Sequence, residues 1–208
     1  MKSLTTILRV LFLGIFLFLV SKGKMMLWLG LYVVSLVAAM FFGRIYCGYA
    51  CPMNTLMIPT EWIAKKLNLR KYKPPKWLAS GKFPWVALVV SVAGMILAKR
   101  LLNKNIPVLL IWLGISVLMA LIYKPSVFHN LICPFGILQK IFAKFARHSN
   151  KVDTRSCIGC KLCEKVCPSD AIAISPLDDK AVIETSACLQ CAKCQYVCPE
   201  NSIHYIKM

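Results

Sequence analysis

The sequence predicts a membrane bundle of four transmembrane α-helices over residues 1–149, followed by a small cysteine-rich domain over residues 150–208. Three observations lead to this fold class. The chain is 58% hydrophobic and contains four long apolar runs, at about 4–20, 25–42, 83–98 and 106–123. The net charge of +18 lies wholly in the first part, because residues 150–208 hold seven basic and seven acidic residues. Eight of the 11 cysteines fall in two copies of one motif near the end of the chain.

The apolar runs predict two consecutive transmembrane hairpins. Each run has about 16–18 residues, near the lower limit for crossing a hydrocarbon layer of roughly 30 Å at about 1.5 Å per residue. The only charge inside them is Arg9, close enough to one end for its guanidinium to extend to the lipid headgroups. The first run lacks a small-residue cleavage site, so we expect a retained anchor rather than a signal peptide.

The loop charges predict an orientation. The loop 43–82 carries eight basic residues, Arg44 among them, against the single acid Glu61, whereas loops 21–24 and 99–105 carry two and three. The positive-inside rule then places the long loop and both termini on the cytoplasmic side of the inner membrane. Basic residues beside membrane spans are expected to contact anionic lipid headgroups, and this position argues against nucleic-acid binding as the reason for the charge.

The repeated motif is CIGCKLCEKVCP at 157–168 and CLQCAKCQYVCP at 188–199, a shift of 31 positions. The spacing C-x2-C-x2-C-x3-C-P is typical of 4Fe-4S clusters, in which the fourth cysteine of each run ligates the other cluster. The alternatives are disulfides or a zinc site, but zinc ribbons use paired C-x2-C knuckles without the third cysteine. The pattern predicts one cluster on Cys157, Cys160, Cys163 and Cys198, and another on Cys188, Cys191, Cys194 and Cys167.

These cassettes resemble the two-cluster bacterial ferredoxins over about residues 150–208, including the apolar stretches that follow each Cys-Pro pair. The resemblance implies a small α+β ferredoxin-like domain with pseudo-twofold symmetry, to which each cassette contributes a short helix and a strand. A segment this short buries little apolar core, so the clusters are expected to act as its staples.

The remaining three cysteines indicate a second repeat. A shift of 82 positions places Cys51-Pro52 on Cys133-Pro134 and the second apolar run on the fourth, while His129 stands opposite Cys47. Two parallel hairpin repeats would be related by an axis along the membrane normal. We therefore predict that Cys47, Cys51, His129 and Cys133 converge on a third iron–sulfur or metal centre. The alternative is that they are ordinary buried packing residues.

The whole arrangement resembles the membrane-bound polyferredoxins of anaerobic respiration, which combine membrane spans, two C-x3-C-P motifs and a two-cluster ferredoxin domain. The chain departs from that pattern at His129, where the family has cysteine. A quinone is a further cofactor to consider, since Trp62, Tyr72 and Trp77 could border a pocket for its head group. The alternative for these aromatic residues is anchoring at the membrane interface.

No motif for acid–base, nucleophilic, haem or nucleotide chemistry is present, so we expect bound cofactors to carry the chemistry. The predicted function is a membrane electron carrier that relays single electrons between a membrane-side partner or quinone pool and a cytoplasmic-side redox partner, within a membrane complex. It would be a component of an oxidoreductase system rather than a stand-alone enzyme. The alternatives are an accessory reductase for metalloenzyme assembly or maturation, and a redox sensor.

Overall fold

A computed structural model describes residues 2–69, 74–101 and 107–207 of the 208-residue chain. The helices are α1 (Lys2–Ser21), α2 (Met25–Phe42), α3 (Pro52–Lys66), α4 (Lys76–Ala79), α5 (Phe83–Leu101), α6 (Val108–Ile122), α7 (Pro125–Val127), α8 (Pro134–Phe142), α9 (Leu162–Val166) and α10 (Lys193–Val197). The strands are β1 (His148–Val152), β2 (Ile172–Ile174), β3 (Ala181–Ile183) and β4 (Ile203–Lys207). Two π-helical turns, Tyr46–Ala50 and Phe128–Ile132, and a 3-10 turn, Ala143–Phe145, complete the regular structure.

Three of the described helices are long and apolar enough to cross a membrane: Leu4–Ser21 within α1, Met25–Phe42 and Phe83–Leu101. Their 18 or 19 residues span about 27 Å at roughly 1.5 Å per residue. These helices identify a membrane protein. The fourth apolar run is a shorter helix, α6, of 15 residues as described, and the run's first residue lies outside the described ranges. A fourth crossing stays a prediction.

The chain divides into two compact units, one made of Met1–Cys51 with Leu138–Met208 and the other of Pro52–Ile137. The first unit therefore joins the N-terminal helical hairpin to the C-terminal cysteine-rich segment. The predicted domain boundary after residue 149 stays a prediction about independent folding.

Buried aromatic side chains hold the N-terminal hairpin of the first unit together. The ring of Phe16 in α1 meets that of Trp28 in α2 edge to face, with ring centroids 5.2 Å apart. The indole Nε1 of Trp28 donates a hydrogen bond to the hydroxyl of Tyr46 at 2.9 Å, and the Tyr46 ring packs against Tyr32 at 5.4 Å. Because buried Tyr and Trp need partners for their polar atoms, these contacts position the turn that begins at Tyr46.

The cysteine-rich segment forms two short antiparallel sheets, β1 with β4 and β2 with β3. Ile172 pairs with Ile183, and Val152 pairs with Ile203. The 31-residue repeat of the sequence is visible in the structure, since α9 and β2 of the first cassette correspond to α10 and the start of β4 in the second. The expected helix and strand from each cassette are therefore present in a small domain of mixed structure.

The end of α2 is bound to this domain within the same unit. The carbonyl oxygen of Phe41 accepts a hydrogen bond from the backbone N–H of Arg147 at 3.1 Å, and that of Phe42 accepts one from the Tyr205 hydroxyl at 3.1 Å. The His148 ring is stacked between Phe42 and Tyr205. The last carbonyls of a helix have no partner within it, so Arg147, just before β1, and Tyr205 in β4 cap α2.

In the second unit, α3 packs along α6, and α5 contacts the turn Phe128–Ile132. The indole of Trp112 in α6 donates to the hydroxyl of Ser91 in α5 at 3.0 Å.

Candidate iron–sulfur sites

The two cassettes have the same backbone conformation at matching positions. Lys161 and Ala192, 31 residues apart, have φ values of 62° and 57°, and each immediately precedes the short helix of its cassette. Non-glycine residues rarely adopt this left-handed conformation, so its recurrence indicates that it is required locally. The left-handed residue changes the direction of the chain, and the cysteines before and after it line the same pocket.

Each cassette lines one pocket with its first three cysteines and receives the fourth from the other cassette. One pocket encloses about 350 Å³ of atom-free space, its open mouth included, and the other about 290 Å³. The first, which we call the outer pocket, is lined by Cys157, Cys160, Cys163 and Cys198. The second, the inner pocket, is lined by Cys188, Cys191, Cys194 and Cys167. The structure thus brings together the two groups of four that the spacing predicts.

The donor set of each pocket fits a 4Fe-4S cluster. Four thiolates are the ligands that such a cluster requires, one for each iron. The described residues include no group of three or more His, Cys, Asp or Glu side chains placed to share a single metal ion. A cubane does not need such a group, because its four ligands bind different corners.

Backbone amides are directed at the crossing cysteines. The N–H of Ala171 donates to Cys167 Sγ at 3.3 Å, and the N–H of Ser202 donates to Cys198 Sγ at 3.4 Å. These two contacts are again related by the 31-residue shift. Hydrogen bonds to ligand sulfurs raise cluster potentials by stabilising negative charge, so both sites have a feature suited to electron transfer.

The first three cysteines of the inner pocket are more buried than those of the outer pocket. Cys188, Cys191 and Cys194 are all buried, whereas Cys160 of the outer pocket is exposed. Burial raises the pKa of the Cys188 thiol to about 11 and raises the pKa of Cys194. Thiols in this environment are protonated at neutral pH without a metal, so metal binding would displace their protons.

The inner pocket lies beside the first Cys-Pro motif, in the same compact unit. A Cβ on Gly48 would overlap the carbonyl oxygen of Leu189 and come within 3.4 Å of the Cys191 nitrogen. A Cβ on Gly43, whose φ of 69° favours glycine, would lie 2.8 Å from the side-chain nitrogen of Gln190. The glycines of this motif therefore let its backbone approach the loop that begins the second cassette.

A buried amide network supports that loop. The side-chain oxygen of Gln190 accepts hydrogen bonds from the backbone nitrogen of Asn150 at 3.1 Å and from its side-chain nitrogen at 2.8 Å. The Gln190 nitrogen donates to the Ser149 hydroxyl at 2.9 Å, and Gln195 donates to the Asn150 oxygen at 2.7 Å. Asn150 also lies 3.9 Å from Cys188 Sγ. The network positions the inner pocket against β1.

The two Cys-Pro motifs of the membrane part share one local structure. Each is a π-helical turn, Tyr46–Ala50 or Phe128–Ile132, followed by a cysteine in extended conformation and a helix that starts at proline. Cys51 N donates to the Tyr46 carbonyl at 2.9 Å, and Cys133 N donates to the Phe128 carbonyl at 2.8 Å. Single π-helical turns are frequent at functional sites.

The predicted members of the third centre are divided between the two units. Cys47 and Cys51 belong to the first, and His129 and Cys133 belong to the second. All four are buried within the chain. Within the second unit, Cys133 Sγ accepts a hydrogen bond from the Gly136 backbone at 3.3 Å. Their shared centre stays a prediction.

The quinone prediction also stays open. Trp62 and Trp77 are 64% and 63% exposed, and Tyr72 lies outside the described residues, as do Arg70, Lys71 and Lys73 of the same basic loop.

Two residues have a different environment from the one the sequence suggested. Arg9 does not extend to the headgroups, because its guanidinium is buried at 8% exposure and its Nε donates to the Gly48 carbonyl at 2.8 Å. Arg44, counted as a loop charge, is fully buried at 0% exposure. Sequence analysis also missed Asn150 and Gln190. Two positions in the sequence could have indicated these roles: Gln190 lies between Cys188 and Cys191, and Arg44 lies three residues before Cys47.

Comparison with known proteins gives two family matches. The 4Fe-4S dicluster domain family matches residues 156–202, which hold both cassettes. A second family, described as a 4Fe-4S binding domain, matches twice, at residues 24–71 and 105–151. The two matches of the second family contain the two Cys-Pro motifs. No solved structure matches.

The chain is similar to several curated proteins. It is 29% identical over 155 residues to an uncharacterized protein of Methanocaldococcus jannaschii, covering 73% of this chain and 62% of the relative. It is 26% identical over 167 residues to the ferredoxin-type protein NapH of Haemophilus influenzae, covering 73% and 57%. The methylamine utilization ferredoxin-type protein MauN of Methylobacillus flagellatus is 26% identical over 179 residues, covering 77% and 62%. The chain thus spans less than two thirds of the length of these three relatives.

These matches agree with the crossed cysteine pockets that the chain is a ferredoxin-type iron–sulfur protein with sites for two 4Fe-4S clusters. The chain contains 4Fe-4S ferredoxin-type domains of two families and is similar to NapH-like ferredoxin-type proteins.

Proposed function

We propose that the protein is a membrane-anchored electron relay, which passes single electrons between a membrane-side partner or quinone pool and a redox partner on the cytoplasmic side of the inner membrane. In this proposal both hairpins cross the membrane, so that the chain has four spans and both termini are cytoplasmic. The distribution of basic residues supports that orientation.

The contact that carries the proposal is the approach of Gly48 to Leu189 and Cys191. Gly48 lies just after the membrane helix α2, and the other two residues lie in the loop of the inner pocket. A cluster bound there would be on the membrane side of the relay. The outer pocket, with its exposed Cys160, would then present the second cluster to the soluble partner.

The cysteines have defined roles in this relay. Cys188, Cys191, Cys194 and Cys167 would hold the inner cluster, and Cys157, Cys160, Cys163 and Cys198 the outer cluster. A 4Fe-4S cluster exchanges single electrons without binding a substrate. The protein residues would position the two clusters, exclude water from the inner one and donate hydrogen bonds to the sulfurs.

A third centre on Cys47, Cys51, His129 and Cys133 would extend the relay toward the membrane. Two observations support it: the matching π-helical turns of the two Cys-Pro motifs, and the two matches to a 4Fe-4S binding domain in the same regions.

The test is anaerobic purification followed by iron and sulfide analysis and a redox titration monitored by EPR. Two cubanes require about eight iron and eight sulfide per chain, and a third centre adds to that content. His129→Ala should remove only the added iron, whereas His204→Ala, at an exposed position, should leave it unchanged. A zinc-loaded protein without acid-labile sulfide would refute the proposal.

Electron transfer itself is tested in proteoliposomes with a reduced quinone as donor. Oxidation of a quinol releases two electrons and two protons, so one quinol should reduce two single-electron centres. Repeated reduction and reoxidation by a soluble acceptor supports a relay, and a conformational response without turnover would favour the sensor alternative. Reduction by a soluble donor but not by quinol would exclude the quinone pool and leave a protein partner as the membrane-side donor.

A further inference from the structure

Arg44 is a buried cation that makes only weak polar contacts. Its side chain has 0% exposure, although the residue follows directly after the membrane helix α2 and Gly43. One guanidinium nitrogen lies 3.4 Å from the carbonyl oxygen of Ala187, and the other lies 3.9 Å from Cys47 Sγ. Its Nε has no hydrogen-bond partner in the described part of the chain. Arg44 therefore connects the first Cys-Pro motif to the residue preceding Cys188 without a full set of acceptors.

Arg9 is a second buried cation against the same segment. Its Nε donates to the Gly48 carbonyl at 2.8 Å, its guanidinium carbon lies 5.9 Å from the centre of the Tyr49 ring, and its Nη2 lacks a partner among the described residues. Gly48 in turn lies against the loop of the inner pocket, because a Cβ there would overlap the Leu189 carbonyl oxygen and lie 3.4 Å from the Cys191 nitrogen.

Neither arginine has a carboxylate partner among the residues that the structure describes. The ion pairs found among the described residues are Lys65 with Glu61 and Lys140 with Glu184. Burying an unpaired ion costs several kcal/mol, so buried cations usually lie beside negative charge. A 4Fe-4S cluster with four thiolate ligands is net negative, and reduction adds one further negative charge. The inner pocket is where such charge would lie, because Arg44 contacts Ala187, which precedes Cys188, and Arg9 binds Gly48, which lies against Leu189 and Cys191.

We propose that Arg44 and Arg9 are the counter-charges of the inner cluster and raise its reduction potential. The inference rests on the cluster assignment made above and goes beyond it, because it gives two membrane-side residues a role in setting the potential. Arg44 and Arg9 are positioning residues in this sense, since they act through charge and ligate nothing. No buried arginine contacts the cysteines of the outer pocket in the described structure. The reduction potential of the outer cluster should therefore not change when Arg44 or Arg9 is replaced.

The test is the potential of each cluster in Arg44→Gln, Arg44→Lys and Arg9→Gln, measured by EPR redox titration of the full-length protein in nanodiscs. For Arg44→Gln we expect the reduction equilibrium constant of the inner cluster to fall about tenfold, which is about 59 mV for one electron. Arg44→Lys retains the charge and should keep the constant within about twofold of wild type. Arg9→Gln should lower the same constant.

Arg147→Gln is the matched control, because Arg147 lies in the same unit but is exposed. It should change neither potential. The inner signal is assigned by its loss in Cys167→Ser. Unchanged potentials in the two glutamine variants, or equal shifts in both clusters, would overturn the inference. If Arg44→Gln does not fold, Arg9→Gln decides the question alone. A wild-type protein without two reducible clusters would instead refute the proposed function.

Discussion

Gly48→Ala is expected to loosen the contact between the first Cys-Pro motif and the inner pocket. The added methyl group would overlap the carbonyl oxygen of Leu189 and lie 3.4 Å from the Cys191 nitrogen. Both neighbouring atoms belong to the backbone, so no change of side-chain rotamer can relieve the overlap. Inserting a methyl group into a packed site typically costs about 1–3 kcal/mol, and the rigid neighbours favour the upper part of that range.

This cost should appear as a lower stability and as weaker retention of one cluster. For a protein of this size, about 1 kcal/mol corresponds to a shift of about 2–4 °C in Tm. The assay is thermal unfolding in detergent at a fixed scan rate, with cluster loss followed by visible absorption and the surviving cluster identified by EPR. We expect the inner cluster to be lost first, since the displaced loop holds two of its ligands.

Gly14→Ala is the matched control, because a Cβ on Gly14 has nothing within 4 Å and lies in the same unit. It should leave both clusters in place. If Gly48→Ala has the same Tm and the same cluster retention as the Gly14→Ala control, the close approach is not needed and the reasoning is refuted.

Three further predictions concern the ligands, the amide network and the topology. Cys167→Ser should weaken the same EPR signal as Cys191→Ser and spare the other, and an effect of the two variants on different signals would refute the crossed assignment. Gln190→Ala leaves the buried Asn150 amide groups without their acceptor and should lower the unfolding free energy by about 1–3 kcal/mol, measured by denaturation; a neutral effect would mean that water replaces the side chain. Reporter fusions after Lys22 should lie outside and fusions after Lys66 in the cytoplasm, and the reverse pattern would overturn the charge argument.

Much of the cysteine-rich segment could be predicted from the sequence, because local spacing determines its conformation. The 31-residue shift predicted two equivalent cassettes, and the structure shows equivalent left-handed residues at Lys161 and Ala192 and a short helix after each. The crossed grouping of cysteines also followed from spacing. Short-range chain geometry leaves few ways to place three such cysteines around one pocket.

The apolar runs were similarly informative, since a bilayer requires long apolar helices whatever their neighbours. Three of the four predicted runs are helices of spanning length. The 82-residue shift predicted that the two Cys-Pro motifs resemble each other, and both form a π-helical turn. It could not determine the ligands of a third centre, because ligation depends on distances between residues in separate parts of the chain.

The cassettes, the apolar spans and the charge difference between the two parts of the chain could be predicted from the sequence, because each depends on residue type and short-range spacing. The residues that surround the inner pocket could be identified only in the folded chain. Arg9 and Arg44 are charged in any context, and composition suggested lipid headgroups or a solvated loop as their surroundings. Their burial, and the approach of Gly48 to Leu189, depend on the packing of the first hairpin with a segment more than 100 residues later in the chain. Such long-range contacts are selected by the fit of whole surfaces, which no local pattern encodes.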